Sequence, residues 1–176
     1  MTYDSINVNA GGVKTTGAAF ELSGSGVTVK NASVGNVADE KGMLAMGRNH
    51  TIDNVTFHDA ILRTNGLHME CLYAIGVEGF TLRNSLSRDC AIMDVLFTYG
   101  SWWSPQPPAY GNVTIENNVF GRSERTHNSG WHYYSLYIAH IGPAGAADPM
   151  SGWTVRNNTF QSPAFIAPLP PASARR

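Results

Sequence analysis

Hydrophobic and polar residues alternate in short runs that recur along the chain. In Thr28–Asn31 a threonine is followed by an apolar residue, a variable residue and an asparagine, and an apolar or small residue lies three positions further on. The same template begins at Thr51, Thr81, Thr114 and Thr154, and a weaker copy begins at Thr2. A period of two predicts a short strand with one buried face in every copy.

The alternation stops at the asparagine of each copy. These anchor positions are Asn31, Asn54, Asn84, Asn117 and Asn157, with Ser5 in the weak copy, and they are 23 to 40 residues apart. Asparagine tolerates the left-handed conformation of a sharp bend, and its amide can bond to the backbone. If the copies stack about 4.8 Å apart, the anchor amides form a ladder.

A second run also repeats after each bend. Residues 68–73 align with residues 92–97 and with residues 132–137 when their Leu-aromatic pairs are superimposed, and residues 39–44 match one copy earlier. This alignment places Leu72, Leu96 and Leu136 in one column. We expect most of its apolar columns to be core stacks.

This pattern of stacked copies with variable spacing resembles the right-handed parallel β-helix of the pectin-lyase-like proteins. The resemblance implies an all-β solenoid of about five to six coils, with a single domain over residues 1–165 and a proline-rich tail over residues 166–176. Because the chain starts inside a strand, we expect either a piece of a longer protein or a homo-oligomer in which another subunit covers the open end.

Composition and charge narrow the range of functions. The net charge is −1, from 12 basic and 13 acidic residues, so no electrostatic surface for nucleic acid or an anionic membrane is expected. The chain shows neither a transmembrane run nor a signal peptide, which predicts a cytoplasmic protein as written, with a secreted parent protein as the alternative.

The aligned runs bring polar residues into two neighbouring columns. One column contains Lys41, Glu70, Asp94 and Tyr134, and the other contains His68 and His132. Residues two positions apart on a strand share a face, so we expect these side chains on the outer face of the sheet. A cluster of this kind supports two alternative chemistries.

The first alternative is a metal-dependent hydrolase of ester or phosphoester bonds. His68, His132 and Asp94 would bind a divalent metal, most simply zinc, and Glu70 would act as the general base or a further ligand. Lys41 and Tyr134, at the edges of the cluster, are further candidate catalytic residues. Trp102, Trp103 and Tyr133 would form the wall of a pocket for a small ester or carbohydrate substrate.

The second alternative is a polysaccharide lyase or glycosidase, in which Glu70 and Asp94 form a close carboxylate pair. Calcium would then be the expected cofactor. A third interpretation is a non-catalytic carbohydrate-binding or structural module, in which the polar columns only hold the coils in register.

The remaining histidines and the cysteines suggest less. His50 is interpreted as a turn residue, and His58 as a lone exposed histidine, with a small second site beside Asp59 as the alternative. Cys71 and Cys90 are interpreted as small buried apolar residues, and a disulfide between them stays open.

Overall fold

The fold is described from a computed structural model. It describes residues 1–13, 17–63, 69–98, 111–121, 134–139 and 151–166, without the side chains of residues 139, 165 and 166. These residues form strands and no helix. Nor do they contain a helix of the length and apolarity that a membrane span requires.

Sixteen strands follow one another along the described chain. They are β1 (Thr2–Asp4), β2 (Asn7–Asn9), β3 (Ala18–Leu22), β4 (Thr28–Ala38), β5 (Lys41–Arg48), β6 (Thr51–Ile61), β7 (Glu70–Glu78), β8 (Thr81–Arg83), β9 (Leu86–Cys90), β10 (Met93–Thr98), β11 (Thr114–Glu116), β12 (Val119–Phe120), β13 (Tyr134–Ala139), β14 (Thr154–Arg156), β15 (Thr159–Phe160) and β16 (Ala164–Ile166).

The strands form two parallel sheets. The larger sheet contains ten strands, β1, β2, β4, β6, β8, β9, β11, β12, β14 and β15. The smaller sheet contains six strands in the spatial order β16-β13-β10-β7-β5-β3. The chain passes repeatedly between the two sheets, so residues that are far apart in sequence become neighbours on adjacent strands. The prediction of an all-β, parallel structure is confirmed.

The Thr-Asn template sets the register of the larger sheet. The threonines that open the copies pair across adjacent strands, from Thr2 with Thr28 to Thr114 with Thr154. One position later, Val29, Ile52, Leu82 and Ile115 form a column in which no residue is more than 1% exposed. Burial of this apolar column stabilises the contact between the copies.

Each predicted bend has the left-handed conformation. The φ angles of Asn31, Asn54, Asn84, Asn117 and Asn157 lie between 52° and 57°, and Ser5 in the weak copy has a φ of 56°. The amide ladder forms in part. Asn54 Nδ2 donates to Asn31 Oδ1 at 2.8 Å, whereas Asn84 Nδ2 donates to Asp53 Oδ1.

A disulfide joins the two sheets. Cys71 on β7 and Cys90 on β9 are bonded, with their Cα atoms 5.5 Å apart. Both residues are at most 1% exposed. The interpretation of two separate buried thiols is therefore wrong. The two cysteines are 19 residues apart in the sequence, and they come together because the chain passes from the smaller sheet to the larger one between them.

Candidate functional site

Three of the predicted polar residues share one column of the smaller sheet. Glu70 and Tyr134 both pair with Met93 on the strand between them. Met43 pairs with Leu72, which places Lys41 beside Glu70. The alignment of β5, β7 and β13 is therefore confirmed.

Asp94 does not belong to this column. Val95, not Leu96, pairs with Leu72 and with Leu136, so β10 is displaced by one residue from the predicted register. A shift of one residue turns a side chain to the other face, so Asp94 and Glu70 point to opposite faces of the sheet. The predicted close carboxylate pair is wrong.

The predicted exposure of these carboxyl groups is wrong as well. Glu70 and Asp94 are both 0% exposed, because β7 and β10 are covered on both faces. Nearby, burial raises the pKa of Tyr73 above 10.0, and the charge of Glu70 adds to this effect. The Tyr73 hydroxyl accepts a hydrogen bond from Thr98 at 3.1 Å.

Five of the predicted site residues belong to parts of the chain outside the described ranges. They are His68, His132, Trp102, Trp103 and Tyr133. Within the part of the chain that the structure describes, there is no group of three or more His, Cys, Asp or Glu side chains that would hold a metal ion. The zinc ligand set remains a prediction.

A different set of side chains does form a connected chemical group. Ser33 Oγ lies 2.9 Å from His58 Nε2, and His58 Nδ1 lies 2.7 Å from Asp59 Oδ2. Serine, imidazole and carboxylate are thus joined in a single line of hydrogen bonds, which we call the Ser33 relay. The interpretation of His58 as a lone exposed histidine is wrong.

Two features of the backbone place His58 in this position. In the register of β4 and β6, His58 pairs with Gly35 and not with Ser33. A side chain at residue 35 would bring its Cβ within 2.8 Å of His58 Nδ1 and 2.9 Å of Cε1. The glycine therefore leaves the space that the imidazole occupies on its way to Ser33.

The second feature is the bend at Asp59. Its φ of 52° turns the chain directly after His58, which lets adjacent residues of a strand place their side chains side by side. Asp59 occupies the same bend position as Asn36 and Asp89, whose φ angles are 53° and 54°. The sequence uses short polar side chains here because they tolerate the left-handed region.

The contacts of His58 suit the neutral imidazole whose proton is on Nδ1. A carboxylate accepts, so His58 Nδ1 carries a proton that it donates to Asp59. His58 Nε2 then holds a lone pair and accepts the hydroxyl hydrogen of Ser33. This is the arrangement in which an imidazole acts as a general base toward a serine hydroxyl.

The relay is accessible from solvent. The His58 and Asp59 side chains are 21% and 28% exposed, and Ser33 is also partly exposed. Ser33 pairs with Asn7 on β2 and with Thr56 on β6, so an amide and a hydroxyl lie on its two sides. Asn7 is exposed.

The sequence contained a signal for this group that periodicity alone did not reveal. The anchors Asn31 and Asn54 are 23 residues apart, so residue 33 falls beside residue 56 and residue 35 beside residue 58. Reading the outward positions of the larger sheet across this step brings Ser33 close to His58.

His50 is an example of a histidine with a structural role. It is 0% exposed. Its Nδ1 accepts from the Val27 N–H at 3.2 Å, and its Nε2 donates to the Met46 carbonyl at 2.9 Å. The residue follows a bend, as predicted, but its ring is an internal link between strands and carries no accessible chemistry.

Comparisons of the chain with protein-family models, with curated proteins and with solved structures find no match. The chemistry of the Ser33 relay is therefore the basis on which a function can be argued.

Proposed function

We propose that the protein is a hydrolase of carboxylic esters that uses Ser33 as its nucleophile. The observation that carries this proposal is the line of hydrogen bonds from Ser33 Oγ through His58 to Asp59, at 2.9 and 2.7 Å. Nucleophile, base and orienting carboxylate are all within hydrogen-bond reach, as this chemistry requires.

In the proposed reaction, Ser33 Oγ attacks the ester carbonyl carbon while His58 Nε2 takes the hydroxyl proton. His58 then gives this proton to the departing alcohol as the carbon–oxygen bond breaks, which leaves an acyl group on Ser33. Water repeats the sequence in the second half: His58 takes its proton, the hydroxide adds to the acyl carbon, and Ser33 leaves with the proton. Asp59 stabilises the imidazolium in both halves.

Asn7 is the group we assign to the developing oxyanion. It is the partner of Ser33 on β2, and neighbouring parallel strands lie about 4.8 Å apart. Its amide N–H groups are donors, and one side-chain donor of this type contributes about 10²–10³-fold to the rate of acyl transfer.

The two parallel sheets support a further part of the proposal, that the fold is a right-handed parallel β-helix. The chain alternates between the two sheets, with one strand or two consecutive strands in the larger sheet before each strand of the smaller one. Left-handed residues recur at equivalent bends, as that fold requires. In this arrangement the Ser33 relay lies on an outward face, where a substrate has access to it.

Labelling with a fluorophosphonate tests the nucleophile directly. We expect the reagent to attach one phosphonyl group per chain, on Ser33. In a separate assay, we expect the chain to release 4-nitrophenol from 4-nitrophenyl butyrate. Ser33→Ala is expected to abolish both signals. Ser23→Ala, which removes an exposed hydroxyl elsewhere, serves as the matched control and is expected to retain both. Labelling that survives in Ser33→Ala would refute the assignment.

The same ester assay distinguishes the metal-dependent alternative from the Ser33 relay. If His68, His132 and Asp94 hold a catalytic zinc, chelation removes the activity and Ser33→Ala leaves it intact. The relay predicts the opposite pair of results. The glycosidase alternative loses the adjacent carboxylates on which it rested, because Glu70 and Asp94 lie on opposite faces.

A further inference from the structure

A cationic side chain lies next to the relay. Arg88 on β9 pairs with His58 on β6, so the two side chains project from the same face of adjacent strands. These strands lie about 4.8 Å apart, a distance that an arginine side chain spans easily. The Arg88 side chain is 55% exposed.

Arg88 is paired differently from the other arginines on the described strands. Arg48, Arg83 and Arg156 each contact a carboxylate on a neighbouring strand, with distances of 3.0, 2.8 and 2.6 Å to Glu78, Asp53 and Glu116. The ion pair of Arg88 is with Asp89, the next residue in the chain, at 3.9 Å. That distance is beyond a hydrogen bond, so the guanidinium retains donors for another partner.

We infer that Arg88 binds a carboxylate of the substrate, so that the preferred substrates are esters whose acid part carries a second, ionised carboxyl group. This inference rests on the proposed esterase function. A guanidinium offers two parallel N–H donors that match the two oxygens of a carboxylate. An acyl group on Ser33 would extend past His58 and place its second carboxylate at Arg88.

The charge of the site favours a carboxylate over a phosphate. The strand neighbours of Ser33 and His58 are Asn7, Thr56, Gly35 and Arg88. Arg88 supplies the only positive charge among them, and the carboxylates of Asp59 and Asp89 lie next to His58 and Arg88, so the site can match at most one negative charge of the substrate. A phosphate monoester carries nearly two, so its second charge would stay uncompensated.

The test compares two esters of the same leaving group, the 4-nitrophenyl monoester of succinic acid and 4-nitrophenyl butyrate. For the unaltered chain we expect kcat/KM to be about tenfold higher for the anionic ester, the usual size of a charge-assisted contact. Arg88→Gln is expected to reduce this ratio to near one. Arg83→Gln, whose arginine is bonded to Asp53, is the control and is expected to keep the ratio.

The possible results separate the inference from the function on which it rests. Equal rates for both esters, or a ratio unchanged by Arg88→Gln, would overturn the role of Arg88 while leaving Ser33 as the nucleophile. Hydrolysis of neither ester, together with no labelling of Ser33, would overturn both. A preference that weakens as ionic strength rises in the unaltered chain, but not in Arg88→Gln, supports the contact.

Discussion

Asp59 shows how one residue serves the backbone and the chemistry together. Its left-handed φ of 52° favours a short polar side chain, and its carboxylate accepts from His58 Nδ1. Asparagine meets the first requirement equally well, as Asn36 shows at the equivalent bend of the preceding copy. The two roles can therefore be separated by one substitution.

We expect Asp59→Asn to lower kcat by about 10³–10⁴-fold while leaving the unfolding free energy nearly unchanged. The asparagine keeps the bend but no longer selects the His58 tautomer that accepts from Ser33. Ester turnover and urea denaturation are the two measurements. Asn36→Asp is the control at the equivalent bend, and a loss of activity with a matching loss of stability would point to a purely structural role.

Asp53 carries a second prediction at the residue scale. Burial acts to raise its pKa, but hydrogen bonds from Asn84 and Arg83, with the charge of Arg83, outweigh it and lower the pKa from 3.8. A pKa that is lower in the folded protein means that the carboxylate stabilises the fold above about pH 4, and that this stabilisation is lost as the pH falls through the folded value.

The unfolding free energy of Asp53→Asn should therefore be lower than that of the unaltered chain at pH 7, by about 1 kcal/mol or less for a partly exposed pair. The difference should shrink as the pH is lowered from 7 to 3, because the carboxyl group of the unfolded chain takes up its proton below about pH 4, before that of the folded chain does. Urea denaturation at both pH values measures it. A difference that grows on acidification would contradict the assigned sign.

At the scale of the strands, the sequence was informative where one face is buried and uninformative where both are. In β6 apolar and polar residues alternate on each side of Asn54, and every predicted pairing of the threonines was correct. In β10 the residues Val95, Leu96 and Phe97 are all apolar and all buried. Each of these residues can be buried on either face, so the pattern of apolar residues does not distinguish the true register from one shifted by a single residue. The predicted register of β10 was therefore wrong.

The relay was missed for a related reason. Its geometry depends on a diagonal contact from His58 toward Ser33, across the space left by Gly35. Strand periodicity predicts which residues lie side by side, but not which side chain bends toward a neighbouring position. The anchor asparagines correctly predicted that the strands of Ser33 and His58 are neighbours. The direction of the His58 side chain is seen only in the structure.

The anchor asparagines give a prediction for the bends. Asn54 has a φ of 55° and donates to Asn31. We expect Asn54→Ala to lower the unfolding free energy by about 1–2 kcal/mol, because alanine pays the full cost of the left-handed region. Asn54→Gly removes the same amide without that cost and is expected to be milder. Equal losses in the two variants would show that the amide, not the backbone, carries the effect.

At the scale of the whole molecule, the disulfide holds the two sheets together. It closes a separation of 19 residues between β7 in the smaller sheet and β9 in the larger one. Restricting the unfolded chain over a loop of this length contributes about 3 kcal/mol. Cys90 also pairs with Ala60, directly after Asp59, so the bond fixes the strand beside the relay.

We therefore expect the double variant Cys71→Ala, Cys90→Ala to unfold about 6–12 °C below the unaltered chain, since each kcal/mol corresponds to about 2–4 °C for a chain of this size. Calorimetry in the absence of reductant gives the comparison. Because both sulfurs are buried, reduction of the unaltered chain should be slow until the chain unfolds. Once reduced and refolded, the chain should have the same melting temperature as the double variant. Reductant should not change the melting of the double variant, and an equal shift in both would show that the reductant acts elsewhere than on this bond.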